Sequence, residues 1–133
     1  MTIVFDSNVI ISALIATSGT AKDVFLYCGE RFRIIISDYI INEVSEKLRS
    51  KFDFSGTEIK EVTDFLETHT ELVKPADQKL ELSRDKKDNP VLNLAVSADA
   101  DFLISGDNDL LVLKKVKGMR IISPAEFWKE LRR

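Results

Sequence analysis

The stretch FLISGDND, residues 102–109, decides the fold of this chain. A short apolar run is followed directly by Ser105 and Gly106, and then by two acids, Asp107 and Asp109. Apolar runs of this length that end at glycine and polar residues are typical of buried strands. The turn after such a strand usually needs only one capping acid. The second carboxylate therefore indicates a role beyond capping.

Strand and helix patterns alternate along the rest of the chain. Apolar runs predict strands at 2–5, 33–37, 71–74, 102–105 and 120–123. Apolar residues at helical spacing, with N-cap signals, predict helices at 8–16, 20–28, 38–52, 57–69, from Pro90 onward, at 108–115 and from Ser123 onward. Strands that alternate with helices imply a mainly parallel sheet covered on both faces. We therefore predict a three-layer α/β/α sandwich that forms one domain over residues 1–133.

Composition excludes several classes of protein. With 133 residues, 44% of them hydrophobic, the chain can bury a sizeable core. No apolar stretch approaches the roughly 20 residues needed to span a bilayer, and the start, MTIVFDSN, lacks the basic region of a signal peptide. The single cysteine, Cys28, excludes an internal disulfide. We expect a cytoplasmic protein without a membrane segment. The net charge of −3 argues mildly against a broad basic surface for nucleic acid.

Four acids are candidates for one site: Asp6, Glu43, Asp88 and Asp107. Taken singly, each has a structural explanation, because three of them can cap the helices that follow and Glu43 lies off the apolar stripe of its helix. However, Asp6 and Asp107 each follow a strand directly, and parallel strands bring their carboxyl ends to one rim where ligands bind. Carboxylates gathered there repel one another unless a cation compensates them. Oxygen ligands alone suit Mg²⁺ or Mn²⁺.

Several stretches together resemble a known family. They are FDSNVIISAL at 5–14, NEV at 42–44, DKKDNPVLNLAVSADADFLISGDNDLL at 85–111 and RIISPAEF at 120–127. In this order they resemble PIN domains, and in particular the stand-alone prokaryotic PIN proteins related to VapC toxins. The resemblance covers essentially the whole chain, and the stretch at 85–111 is its most specific part.

The resemblance implies a metal-dependent ribonuclease that uses Mg²⁺ or Mn²⁺. The family's acidic residues correspond to Asp6, Glu43, Asp88 and Asp107. We expect Asp6 and Asp107 to be direct metal ligands, and Glu43 and Asp88 to be ligands or to position the attacking water. Asp109 matches a further acid that often accompanies the site. Whether one metal ion or two are bound stays open.

Polar and basic residues near these acids are candidates for supporting roles. Asn8 and Ser105 could hold the carboxylates in place, and Ser105 stands where the family commonly has threonine, which keeps the hydroxyl. Arg84, Lys86 and Lys87 precede Asp88 and could contact substrate phosphates. The run from Lys47 to Lys51 is more typical of a solvated helix face.

The partners expected from the resemblance are an RNA substrate, a second copy of the chain and an antitoxin. The helices at 20–28 and 57–69 carry more apolar surface than a short crossover must bury, which either core packing or a homodimer would explain; the residues concerned are Val24, Phe25, Tyr27, Phe65 and Leu66. An antitoxin would supply a basic residue to the acidic pocket. The alternative is a PIN-fold binding protein or RNA-processing factor with weak or no nuclease activity.

Three other acid-rich folds fail at particular positions. A phosphohydrolase of the haloacid dehalogenase type needs a second aspartate where this chain has Asn8. A response-regulator receiver needs a lysine after its last strand, and RIISPAEF offers none there. An EF-hand loop beginning at Asp107 would need a glycine that is missing.

Overall fold

A computed structural model of the protein describes residues 1–75, 86 and 89–132. The elements in this part of the chain are, in order, β1 (Thr2–Phe5), α1 (Ser7–Ile15), α2 (Thr20–Arg31), β2 (Arg33–Ile36), α3 (Asp38–Phe52), α4 (Gly56–His69), β3 (Glu71–Leu72), α5 (Asn89–Ser97), β4 (Phe102–Ile104), α6 (Asn108–Leu111), β5 (Lys115–Val116), β6 (Met119–Ile122) and α7 (Pro124–Leu131).

The strands form one six-stranded sheet in the order β3-β2-β1-β4-β6-β5. All neighbouring pairs are parallel except β5 and β6, which are antiparallel. Helices flank this sheet, so the predicted α/β class with a mainly parallel sheet is confirmed. From β1 the chain adds β2 and then β3 on one side, and it then returns to place β4 on the other side of β1. The boundary between β1 and β4 is therefore the point where the topology switches direction, which is where such sheets bind ligands.

The central strands are buried because helices cover them. Ile3, Val4 and Phe5 of β1 have no exposed surface, as the unbroken apolar run TIVF predicts for a strand enclosed on both faces. Phe5 also contacts Phe25 of α2 edge to face, with ring centroids 5.1 Å apart. Burial of each such side chain contributes about 1.5–3 kcal/mol. The rim of the sheet that carries the acids is thus built on a rigid core.

Helix ends follow the cap signals of the sequence. Ser55 and Glu58 form a capping box at the start of α4, in which the Ser55 hydroxyl accepts from the Glu58 backbone N–H at 3.1 Å. At the start of α7 the Ser123 hydroxyl accepts from the backbone N–H of Glu126.

None of the helices in the described part is by itself long and apolar enough to cross a membrane; α1 and α2 reach that length and composition only as a pair bent by 101°.

Two sequence predictions about the fold are wrong in detail. The helix predicted at 108–115 ends at Leu111, and the chain then forms β5 and a hairpin to β6. Lys117 and Gly118 both have positive φ in this two-residue turn, as tight hairpin turns require. The strand was missed because only two residues, Lys115 and Val116, belong to it.

The apolar surplus predicted on α2 and α4 is also smaller than expected. Val24, Phe25 and Leu66 lie in the core rather than on the surface. Tyr27 is partly covered by Trp128, with ring centroids 5.8 Å apart. Of the five residues named for dimer formation, Phe65 is the one that stays exposed. Core packing therefore explains most of this pattern.

Candidate active site

Asp6 and Asp107 lie at the topological switch point of the sheet. Asp6 follows β1 directly, and its backbone N–H donates to the carbonyl of Ile104 at the end of β4, at 2.9 Å. Asp107 follows β4 after Ser105 and Gly106. Both acids thus stand at the carboxyl ends of two adjacent parallel strands, as the sequence predicted.

Ser105 joins the two acidic segments. Its hydroxyl donates to Asp6 Oδ2 at 2.8 Å and accepts from the backbone N–H of Asp107 at 3.0 Å. Ser105 has no exposed surface, and Asp6 is 6% exposed. A buried carboxylate held by a buried hydroxyl has little freedom to change its orientation, so this pair fixes one wall of the site.

The environment of Asp6 disfavours its ionised form. Burial raises the pKa of Asp6 from 3.8, against the opposing effects of the Ser105 hydroxyl and the Ser7 backbone N–H, and the charges of Glu43 and Asp107 add to the rise. The three carboxylates are thus close enough to repel one another, although they come from distant parts of the sequence. A cation placed among them would relieve this repulsion.

Capping explains Asp107 in part but does not explain Asp6. One Asp107 oxygen accepts from the backbone N–H of Asp109 at 2.8 Å and caps α6. Asp6 occupies the N-cap position of α1, yet its side chain makes no capping hydrogen bond there. The pKa of Asp6 is raised despite its hydrogen bond from Ser105, so its burial is not explained by capping, which favours a functional role for Asp6.

Glu43 approaches this cluster from α3 and is more enclosed than its position off the apolar stripe suggested. Its side chain is 23% exposed. The Tyr39 hydroxyl donates to Glu43 Oε2 at 3.3 Å, and Lys47 Nζ lies 3.9 Å from Oε1. The enclosure arises because α3 packs against α1, a contact that the sequence pattern does not reveal.

Lys47 is a residue near the site whose position the sequence analysis missed. Its ammonium group donates to Asn8 Oδ1 at 3.1 Å, and 27% of its side chain is exposed. The prediction that this part of the charge run is a solvated face is therefore wrong for Lys47. The available signal was its position four residues after Glu43, which places both side chains on one face of a helix.

A cleft of about 320 Å³ opens beside Asp107. Asn8, Gly106, Asp107 and Pro124 are among the residues that line it. Asn8 itself is exposed. The cleft therefore connects the rim of the sheet at Asp107 with the surface.

The donor chemistry fits a hard divalent cation, since the acids of the cluster offer only oxygen atoms. Within residues 1–75, 86 and 89–132, however, no three His, Cys, Asp or Glu side chains converge closely enough to hold a metal ion by themselves.

The predicted fourth acid, Asp88, lies outside the described residues, as do Arg84 and Lys87. Lys86 is exposed, and Asp109 is half-buried at the start of α6.

Comparison with known proteins shows the family of this chain. The model of the PIN domain family matches residues 2–109. The chain therefore belongs to the PIN domain family, in agreement with the resemblance seen in its motifs. A comparison with curated proteins gives no significant match.

Two solved structures show the same fold. One is VapBC2 from Rickettsia felis bound to a DNA fragment from the promoter, with 13% identity, a TM-score of 0.70 and coverage of 92% of this chain and 98% of that chain. The other is FitAcB from Neisseria gonorrhoeae, with 12% identity, a TM-score of 0.55 and coverage of 92% and 98%. At this identity the likeness concerns the arrangement of helices and strands.

Replacing Ser105 by alanine should weaken both the fold and the site. The substitution removes the hydrogen bond to Asp6 and leaves a buried carboxylate less satisfied, which costs about 1–3 kcal/mol of unfolding free energy. Loss of a partner that orients a ligand typically lowers metal affinity or activity about 10- to 100-fold. Denaturant unfolding would measure the first effect, and an assay for the RNA cleavage that we propose below would measure the second. Ser105→Thr keeps the hydroxyl and should retain most cleavage; equal loss in both variants would contradict the role of the hydroxyl.

Proposed function

We propose that this protein is a hydrolase that cleaves single-stranded RNA with the help of Mg²⁺ or Mn²⁺, and that it is the toxin of a cytoplasmic toxin–antitoxin pair. The observation that carries the proposal is the pairing of Asp6 and Asp107 through Ser105 at the switch point of the sheet. Membership of the PIN domain family, whose members are generally nucleases, supports the same chemistry.

The residues have separate tasks in this proposal. Asp6 and Asp107 would hold the cation, with Glu43 and Asp88 as further ligands or as groups that orient the attacking water, and Asp109 as an additional acid. When bound, the cation activates water and neutralises charge on the phosphate oxygens. Ser105 keeps the Asp6 carboxylate in position, and Asn8 is anchored by Lys47 at the edge of the cleft.

Substrate binding would rest on basic side chains close to Asp88 in the sequence. Arg84, Lys86 and Lys87 precede Asp88 in the sequence, and phosphate contacts from such residues position a nucleic acid without reading its sequence. The acidic cluster itself repels RNA in the absence of a cation. Binding of RNA and of metal should therefore support each other.

Incubation of the purified protein with a pool of transcripts tests the proposal. Cleavage is expected with Mg²⁺ or Mn²⁺ and should disappear with chelator, and sequencing of the new ends would reveal the preferred site. A parallel reaction with single-stranded DNA measures the preference for RNA. Cleavage that persists in chelator would contradict the proposed role of the metal, and no cleavage of any nucleic acid would favour the binding-protein alternative.

An antitoxin partner is supported by the solved neighbours, both of which are toxin–antitoxin complexes. A groove of about 400 Å³ between α1, α2 and α4 is suited to such a partner; its lining includes Leu14, Phe25, Leu26, Val62 and Phe65. The groove is concave and mainly apolar, with Lys22, Glu58 and Glu61 also in its lining, so it fits an inserted segment better than a second copy of the same surface. We propose that an apolar segment of the antitoxin occupies it.

The homodimer stays a prediction that follows from the resemblance. It would place the acidic clusters of the two copies along one shared surface for RNA. Light scattering at tens of micromolar protein tests it, and a clean monomer would contradict it.

The second candidate is a PIN-fold protein that binds or processes RNA with weak nuclease activity of its own. The neighbouring genes distinguish the two candidates. A small gene for a DNA-binding protein directly upstream favours the toxin, whereas genes for ribosome maturation favour a processing factor.

A further inference from the structure

Lys47 lies where α1 and α3 meet, at the edge of the acidic cluster. It donates a hydrogen bond to Asn8 of α1 and lies 3.9 Å from the Glu43 carboxylate of its own helix. About three quarters of each charged side chain is covered, since 27% of Lys47 and 23% of Glu43 is exposed. The pair is therefore less screened by solvent than the exposed ion pairs elsewhere on the surface.

Two side chains of the protein itself interact with the Glu43 carboxylate. Tyr39 donates to one carboxylate oxygen, and Lys47 lies near the other. Glu43 nevertheless lies near the cleft of the acids, because the ammonium group of Lys47 that approaches it donates to Asn8, and Asn8 and Asp107 line the same cleft. A cation that binds Asp6 and Asp107 and also recruits Glu43 must compete with the ammonium group of Lys47 for that carboxylate.

We infer that Lys47 is a positioning residue that competes with the divalent cation for Glu43 and so sets the metal affinity of the site. The inference rests on the metal site of the proposed function. Lys47 partly neutralises the acids when no cation is bound, and it anchors Asn8 at the cleft. The hydrogen bond from Lys47 to Asn8 does not involve Glu43, so it could persist if the ion pair with Glu43 were broken.

Removal of the Lys47 charge should therefore tighten metal binding. For Lys47→Met we expect Mn²⁺ to bind roughly three- to tenfold more tightly than to the wild type, since the partly enclosed ion pair no longer has to be broken. The rise in melting temperature caused by Mn²⁺ should increase as well. Lys47→Arg keeps the charge and should restore an affinity close to that of the wild type.

Isothermal titration of the metal-stripped protein with Mn²⁺ measures these affinities, and thermal melts with and without Mn²⁺ provide a second measurement. Lys51→Met is the matched control, because it removes the same charge from an exposed position on the same helix. Lys47→Gln repeats the test with a side chain that can still donate to Asn8. Both uncharged variants at position 47 should bind Mn²⁺ more tightly than the control.

The outcomes separate the inference from the proposed function. If the wild type binds no Mn²⁺, the proposed metal site is wrong, and the inference falls with it. If the wild type binds Mn²⁺ and the uncharged variants match Lys51→Met or bind more weakly, the metal site stands and the competing role of Lys47 is wrong. Should Lys47→Met fail to fold, Lys47→Gln against Lys47→Arg decides the question.

Discussion

Replacement of Asp6 by asparagine is expected to reduce RNA cleavage by more than about 100-fold, because even residues that only support a metal ligand contribute about 10- to 100-fold. Asparagine has nearly the same size and can still accept the hydrogen bond from Ser105. The variant should therefore fold. It loses the negative charge through which Asp6 would hold the cation, so the stabilisation by Mn²⁺ should be lost together with cleavage.

The same substitution should make the protein more stable in chelator. Because the fold raises the pKa of Asp6 above 3.8, the folded protein binds more protons at this position than the unfolded chain does. The free energy of unfolding of the wild type should therefore fall as the pH rises from the pKa of Asp6 in the unfolded chain, about 3.8, through its raised pKa in the folded protein. Asp6→Asn does not titrate there, so its stability should lack this decline.

Two further variants serve as comparisons. Asp107→Asn keeps a side chain that caps helices well and should lose cleavage in the same way. Asp64→Asn removes a charge from an exposed acid on α4 that pairs only with a surface lysine in the described structure, and it should cleave RNA normally. Wild-type cleavage by Asp6→Asn, measured with Mg²⁺ and with Mn²⁺, would refute the role assigned to Asp6.

The sequence predicted the central part of the fold because burial leaves a clear pattern there. TIVF, RIII and FLI are enclosed on both faces and carry unbroken apolar runs. The hairpin of β5 and β6 was missed because a two-residue strand has no periodicity to detect, and the lysines around it resemble the end of a helix. Short strands at the edge of a sheet depend on their partner strand rather than on their own sequence.

The candidate site was predictable where it depends on the strands. Asp6 and Asp107 could be placed together because parallel strands share one rim. The enclosure of Glu43 and its contact with Lys47 could not, since both depend on how α3 packs against α1. A helical pattern shows which residues share a face, but it does not show which neighbouring helix covers that face. The prediction for Asp88 concerns a residue outside the described part of the chain.

Introduction of a charge into the groove between α1, α2 and α4 should separate inhibition from catalysis. Leu26 is 49% exposed and Phe65 36% exposed, and both line the groove. If an apolar antitoxin segment covers Leu26, then Leu26→Arg places a charged and longer side chain in that contact. The loss should reach about 2 kcal/mol or more, as for the central residues of other interfaces, which weakens binding by roughly 30-fold or more.

Leu26 lines a different cavity from Asp107, which makes this variant informative. The substitution leaves the hydrogen bonds of Ser105 with Asp6 and Asp107 in place, so the variant alone should cleave RNA as the wild type does. Leu72→Arg, at a site 50% exposed on β3, controls for the added charge and should remain fully inhibited. Binding of the upstream gene product would be measured by titration, and inhibition by the cleavage assay. If the antitoxin binds and inhibits Leu26→Arg as tightly as Leu72→Arg, it does not use the groove. Contact with the acidic cluster would then be the better explanation of inhibition. In that case the antitoxin should bind Asp6→Asn more weakly than the wild type.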